Sequence, residues 1–177
     1  MRRLARALAF FAVLAALGAG AWWGSWSRAP LAPPASPHPF FVAPRPLIWA
    51  HQGASHDAPP NTFAAFDRAL ELGADVLETD LRLSQDGVVV LFHDGTLERR
   101  TVGNGNISEK SSTELLSLDA GYRFVDAGGG DWTGRGARIP TLAAFLERYS
   151  PYPELRFSLE LKTADPQLAD KLSRMIR

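Results

Sequence analysis

Two carboxylates two residues apart, Glu78 and Asp80, carry the most chemical information in this 177-residue chain. They fall in Val76–Leu83, whose alternation reads as a β-strand, and strand residues two apart point to the same face. Val76 shares that face, which leaves Leu77, Thr79 and Leu81 to pack on the other. Like charges side by side cost stability unless a cation or a base joins them. Ser158-Leu159-Glu160-Leu161-Lys162 repeats the spacing on a later strand, with one acid and one base. Three hard oxygen donors from Glu78, Asp80 and Glu160, completed by water, suit Mg2+ or Ca2+ better than a softer metal. The bland alternative is a surface strand with solvated acids and a Glu160–Lys162 ion pair. His51 and His93 each follow an apolar strand and have a glycine within two residues, as a general acid and base flanking a metal would. A single histidine is more often structural or solvated, so the pair carries this reading. His56, before Pro59 and Pro60, is peripheral.

These side chains need a scaffold, and the hydrophobic pattern supplies one. Leu47–Ala50 reads as a buried strand running into His51-Gln52-Gly53. Thr62 can N-cap a helix carrying Phe63, Phe66, Ala69, Leu70 and Leu72 as far as Gly73, a good residue to follow a helix end. Ser84-Gln85-Asp86-Gly87 is turn chemistry, and Val88–Phe92 is a β-branched strand ending at His93-Asp94-Gly95. A short helix is expected near Thr113–Leu118, a glycine-rich irregular stretch over 119–138, and a helix opened by Ile139-Pro140-Thr141 through Tyr149. Leu155–Leu161 is another strand, and Asp165-Pro166 starts the last helix. Strands alternating with helices predict an α/β protein on parallel strands, in which chemistry gathers at the strands' C-terminal ends.

Lys and Arg number 19 and so do Asp and Glu, giving zero net charge. Five arginines and no acid precede position 50, leaving 14 bases against 19 acids in the remainder. So acidic a body is a poor partner for nucleic acid and a better one for cations. The chain has no cysteine, which excludes disulfides, thiol catalysis and Cys-type zinc sites. Ala7–Ser27 is an uncharged run of 21 residues behind Arg2, Arg3 and Arg6; at about 1.5 Å per residue it can cross a bilayer core of roughly 30 Å. Residues 1–28 thus read as a transmembrane anchor, with cytoplasmic arginines and Trp22, Trp23 and Trp26 at the far interface. The alternative is a signal peptide cleaved near Ala19-Gly20-Ala21. Either way the body lies outside the cell membrane, periplasmic or extracellular. Seven of the 13 prolines fall within residues 29–46, predicting an extended linker with a solvated His38.

His51-Gln52-Gly53, Pro60-Asn61-Thr62, Gly73-Ala74-Asp75-Val76-Leu77-Glu78-Thr79-Asp80, Asp86-Gly87, His93-Asp94, Leu97-Glu98-Arg99, Ile139-Pro140-Thr141-Leu142 and Leu159-Glu160-Leu161-Lys162 occur in one order. In that order and spacing they resemble the glycerophosphodiester phosphodiesterase family, from about Ile48 to the end. The resemblance implies a TIM (β/α)8 barrel over residues 47–177, with a divalent cation, Ca2+ or Mg2+, held by Glu78, Asp80 and Glu160. It implies His51 and His93 as acid and base, and Lys162 near the phosphate. The implied reaction is cleavage of glycerophosphodiesters to glycerol 3-phosphate and an alcohol, in glycerophospholipid catabolism. In it a glycerol hydroxyl, acidified by the metal, attacks phosphorus in line; one histidine protonates the leaving alcohol, and water then opens a cyclic phosphate. The partners so implied are a small-molecule substrate and, through the N-terminal helix, a membrane, with no nucleic acid or protein partner.

Two positions depart from the family pattern. Gln52 stands where Arg usually clamps the phosphate, exchanging a charge-assisted contact of about 1.5–3 kcal/mol for neutral hydrogen bonds. Pro60 stands where an acid is usual, which bears on the metal's surroundings rather than its ligands. The 47–177 body is also far shorter than the roughly 250 residues of a complete barrel, so it is expected to hold about the first half of one. Two further functions remain compatible with the residues. One is another metal-dependent barrel enzyme acting on phosphates or sugars. The other is a non-catalytic envelope protein that binds phosphate ligands, against which the two histidines speak.

Overall fold

The computed structural model describes residues 38–176. The candidate anchor and most of the proline-rich linker lie outside the described residues. Among the described residues no helix is long and apolar enough to cross a membrane. The chain divides into two units, Met1–Val42 and Ala43–Arg177. In the first, Pro39–Phe41 form a single 3-10 turn where extended backbone was predicted, and His38, exposed as expected, accepts from the Phe40 amide at 3.2 Å. A proline at the first helical position already has the φ such a turn needs.

The second unit is an α/β layer built around one strand. Strand β2 (Val76–Leu83) pairs in parallel with β1 (Trp49–Ala50), Trp49 opposite Val76, and with β4 (Arg156–Leu161), Asp80 opposite Glu160. Strand β3 (Val89–Leu91) instead pairs antiparallel to β2, Leu81 opposite Leu91. The prediction of parallel strands therefore holds for three of the four strands. The exception is enforced by the 84–88 turn: Ser84 Oγ donates to Asp86 at 2.7 Å and accepts from the Val88 amide at 2.8 Å, reversing the chain too tightly for a crossover. The reversal also carries the chain back along β2, so that the Phe92 amide donates to the Asp80 carbonyl at 2.9 Å.

Helices α1 (Phe63–Glu71), α3 (Leu142–Tyr149) and α4 (Pro166–Met175) begin at the caps the sequence predicts, and α2 (Ser112–Ser117) begins one residue before the expected Thr113. Thr62, Ser111, Thr141 and Asp165 each accept a hydrogen bond from a backbone amide of the first turn. Gly73 follows α1 at φ 81°, a conformation only glycine adopts freely. Leu77 and Leu81 join Phe66, Phe145, Tyr149 and Leu168 in the core between sheet and helices, as the period-2 reading required. A second, smaller core of Val90, Phe92, Leu97, Ile107, Leu115 and Ile139 supports the segment after β3. Residues 119–138 are irregular as expected, and are stitched by Asp119 and Asp126, whose carboxylates accept from the amides of Gly121, Gly134, Gly128 and Gly130.

A further expectation fails at β1. Leu47–Ala50 reads as buried, yet only Trp49 and Ala50 are strand, and Ile48 and Trp49 are 51% and 45% exposed. β1 is an outer strand held to β2 over two residues. Its entry is fixed by Asp75, whose carboxylate accepts from the Ile48 amide at 2.7 Å and pairs with Arg45 at 2.8 Å. Arg45, assigned to the linker by its prolines, is thereby part of the folded body.

Candidate active site

Glu78, Asp80 and Glu160 present carboxylate oxygens that all lie within 4.8 Å of one another. Strand alternation puts Glu78 and Asp80 on one face of β2, and the parallel register puts Glu160 beside Asp80. Glu78 and Asp80 are buried at 6% and 0% exposure, while Glu160 is exposed. Buried acids demand donors, and the turn after β1 supplies them. The Gln52 amide donates to Glu78 Oε2 at 2.7 Å, and its side-chain Nε2 donates to Asp80 Oδ2 at 2.7 Å. Both reach inward because Gln52 is left-handed, φ 58°, as is Gly53 at φ 79°. A β-carbon on Gly53 would sit 2.6 Å from the Ala65 carbonyl carbon, so this turn requires glycine.

Asn61 completes the cradle. It too is left-handed, φ 58°, and 3% exposed. Its Oδ1 accepts from Thr79 Oγ1 at 2.7 Å and from the Asp80 amide at 3.2 Å, while Nδ2 donates to Asp80 Oδ2 at 2.8 Å. Lys162 Nζ donates to Glu160 Oε1 at 2.9 Å and lies 3.4 Å from Asp80 Oδ1. Two buried oxygens, Glu78 Oε1 and Asp80 Oδ1, still accept no hydrogen bond. Burial pushes the Glu78 carboxyl above its ordinary pKa, with Asp80 and Glu160 adding to the rise and the Gln52 amide opposing it. The Lys162 hydrogen bond holds Glu160 below its ordinary value. Crowded anions with unfilled lone pairs are what a hard divalent cation relieves, so this donor set fits Mg2+ or Ca2+.

The two histidines flank this cluster. His51 Nε2 lies 3.9 Å from Glu78 Oε2, with its side chain 70% exposed to solvent. The β3 reversal returns His93 to the level of Asp80, and both histidines act electrostatically on Glu160. His93 Nδ1 is 2.8 Å from Asp94 Oδ1, and Arg99 Nε donates to Asp94 Oδ2 at 2.6 Å. Arg99, then His93, depress the Asp94 carboxyl to about 2. Arg82 Nε and Nη2 donate to the His93 carbonyl at 3.0 and 2.7 Å. A histidine held at one ring nitrogen by a carboxylate can exchange a proton at the other.

The structure thus brings Glu78, Asp80, Glu160, Lys162, Gln52, His51 and His93 to one place, and leaves His56 exposed and apart. Four contributors were not assigned a role from sequence: Asn61, Arg82, Asp94 and Arg99. The signal for Asn61 is weak but physical, because asparagine between prolines and a helix cap tolerates the left-handed region. Arg82 was findable by the period-2 rule, being two residues beyond Asp80.

Comparison with known proteins bears on the chain as a whole. The model of the Glycerophosphoryl diester phosphodiesterase family matches residues 51–174. A glycerophosphodiester phosphodiesterase of Caldanaerobacter subterraneus is 37% identical over 134 residues, covering 74% of this chain and 52% of that protein. A glycerophosphodiester phosphodiesterase structure from Agrobacterium tumefaciens superposes with TM-score 0.63 at 39% identity, over 75% of this chain and 53% of that one. A phosphodiesterase of Oleispira antarctica, solved in complex with the product sn-glycerol-3-phosphate, superposes with TM-score 0.63 at 34% identity, over 74% and 51%. The chain spans about half the length of the curated relatives it matches.

Proposed function

Because the chain belongs to the glycerophosphoryl diester phosphodiesterase family, we propose that the protein hydrolyses glycerophosphodiesters to glycerol 3-phosphate and an alcohol. The observation that carries this reading is the pair of buried, unbonded oxygens on Glu78 and Asp80, within reach of Glu160 and flanked by two histidines. Its architecture would be the (β/α)8 plan, with β1, β2 and β4 as parallel barrel strands.

A divalent cation held by Glu78, Asp80 and Glu160 would supply Lewis acidity toward the phosphate oxygens. The chain's own groups do the rest. Lys162, whose Glu160 contact keeps it firmly protonated, draws the phosphodiester to the cluster. Gln52 fixes Asp80 and offers the phosphate a neutral hydrogen-bonding edge. One histidine takes the proton from the attacking glycerol hydroxyl as its oxygen bonds to phosphorus. The other gives a proton to the alcohol oxygen as the second P–O bond breaks. Their roles reverse when water opens the cyclic phosphate. Asp94, braced by Arg99, holds His93 by Nδ1 and leaves Nε2 for this work.

The uncharged Ala7–Ser27 run behind three arginines supports a body on the outer side of the membrane, anchored or released by cleavage. The reaction is tested by assaying glycerol 3-phosphate release from glycerophosphocholine, with EDTA and with Ca2+ or Mg2+ restored. Hydrolysis is expected to vanish on chelation and return with one cation. His51→Ala and His93→Ala should each lower it by about 100-fold or more while cation binding persists. A folded wild-type chain inactive under every condition would refute the reading.

A further inference from the structure

Arg82 is the one guanidinium on the carboxylate face of β2, two residues beyond Asp80, and it is half-buried. Among the described residues no carboxylate lies within ion-pair distance of it, and its hydrogen bonds go to the His93 carbonyl. Its remaining surface lines a cavity of about 330 Å3 with Gly95, Asn106, Ser108, Thr163 and Asp165. The walls begin where the candidate site ends: Gly95 is two residues past His93, Thr163 follows Lys162, and Arg82 grips His93 itself.

The lining has a definite chemistry. Beside the aliphatic Leu83 and Ile107 it offers a guanidinium, an amide that also donates to Glu109, two hydroxyls and a carboxylate that also accepts from the Gln167 amide, and it contains no aromatic ring. An ammonium head group finds no π-face there, meets Arg82 as a like charge, and has as its one counter-ion in the lining an Asp165 carboxylate already accepting from the Gln167 amide. A hydroxyl-rich alcohol finds paired donors and acceptors instead. We infer that this cavity is the subsite for the alcohol portion of the diester, and that it selects a neutral polyol such as inositol or glycerol over choline or ethanolamine. The inference rests on the phosphodiesterase reading for the placement of the phosphate at the carboxylate cluster.

The test is calorimetric titration with glycerophosphoinositol and glycerophosphocholine, using the His51→Ala chain in Ca2+ so that both diesters stay intact. The inositol diester is expected to bind about tenfold tighter or better, because a site built around hydroxyl partners rejects a ligand that lacks them. Asn106→Ala with Thr163→Val, both at exposed rim positions, should bring the two affinities to near parity without moving the unfolding temperature. Arg82→Gln should narrow the gap between the two affinities. Equal affinities, no binding of either diester, or a preference untouched by the rim variants would overturn the subsite. Hydrolysis by the wild type separates the two ideas: turnover without preference removes only the subsite, and preference without turnover removes only the hydrolase.

Discussion

Asn61 gives the sharpest test of how the carboxylates are held. Its side chain makes three hydrogen bonds, to Thr79 Oγ1, the Asp80 amide and Asp80 Oδ2, in a place only 3% exposed. In Asn61→Ala the Thr79 hydroxyl and the Asp80 N–H lose their acceptor with no route to water, at about 1–3 kcal/mol each. The hydroxyl can rotate, so its share falls at the low end. Asp80 Oδ2 keeps Gln52 and suffers less. Alanine at φ 58° adds about 1 kcal/mol, since asparagine tolerates the left-handed region better. The expected loss is about 3–5 kcal/mol, a large part of the ~5–15 kcal/mol that keeps a domain folded. Asn61→Gly loses the same bonds but not the backbone strain, and should be less destabilised than the alanine variant by about 1 kcal/mol. Urea unfolding followed by circular dichroism reads both values. An alanine variant within about 1 kcal/mol of wild type would refute the hydrogen-bond argument. A glycine variant no better than alanine would refute the strain argument.

Asp94 carries a pH signature. Its folded-state value of about 2 lies below the ordinary 3.8, so its stabilisation is fully present above the ordinary value and lost as pH falls toward 2. With Arg99 58% exposed and screened by solvent, about 1 kcal/mol is expected from wild-type unfolding between pH 5 and pH 2. Asp94→Asn should remove that part of the slope, and an unchanged slope would show the pair to be inert. Glu78→Gln relieves a buried charge, so without cation it should unfold no more easily than wild type. The stabilisation by a cation at a hundred times its dissociation constant, about 2.7 kcal/mol for wild type, should largely disappear. Glu160→Gln, exposed and already paired with Lys162, should keep more of it; the opposite order in a thermal-shift titration would overturn the ligand assignment.

What was legible in the sequence followed periodicity and local chemistry. Val76–Leu83 alternates, so Glu78 and Asp80 had to share a face, and Thr62, Thr141 and Asp165 had to cap helices. Contacts between distant segments were not legible. That Gln52 and Asn61 converge on one oxygen of Asp80 depends on two left-handed residues, and periodicity says nothing about φ. The direction of β3 was hidden for a related reason. A turn such as Ser84-Gln85-Asp86-Gly87 marks where the chain bends, while His93's return beside Asp80 depends on how the strand then pairs. Burial misled at Ile48 and Trp49, where apolar residue type was taken for interior position although β1 is an outer strand.

Charge balance ties the departures from the family pattern to the surrounding residues. Three carboxylates opposed by Lys162 leave the cluster two negative charges in excess, the amount one divalent cation neutralises. A monoanionic phosphodiester arriving at such a site would be met by the protonated histidine and by one further fixed positive charge. An arginine at position 52 would supply it from the β1 side; Gln52 does not, and its amide is engaged by Asp80. Arg82 stands on the β2 side of the same cluster, without an ion pair and oriented by the His93 carbonyl. Under the subsite inference, a countercharge on the wall of the alcohol cavity rather than at the start of the site would compensate the phosphate and would make the same guanidinium repel a cationic leaving group. Glutamine at 52 and discrimination against choline would then be two consequences of one charge placement. Restoring Gln52→Arg should therefore raise affinity for both diesters alike, while leaving their ratio to Arg82.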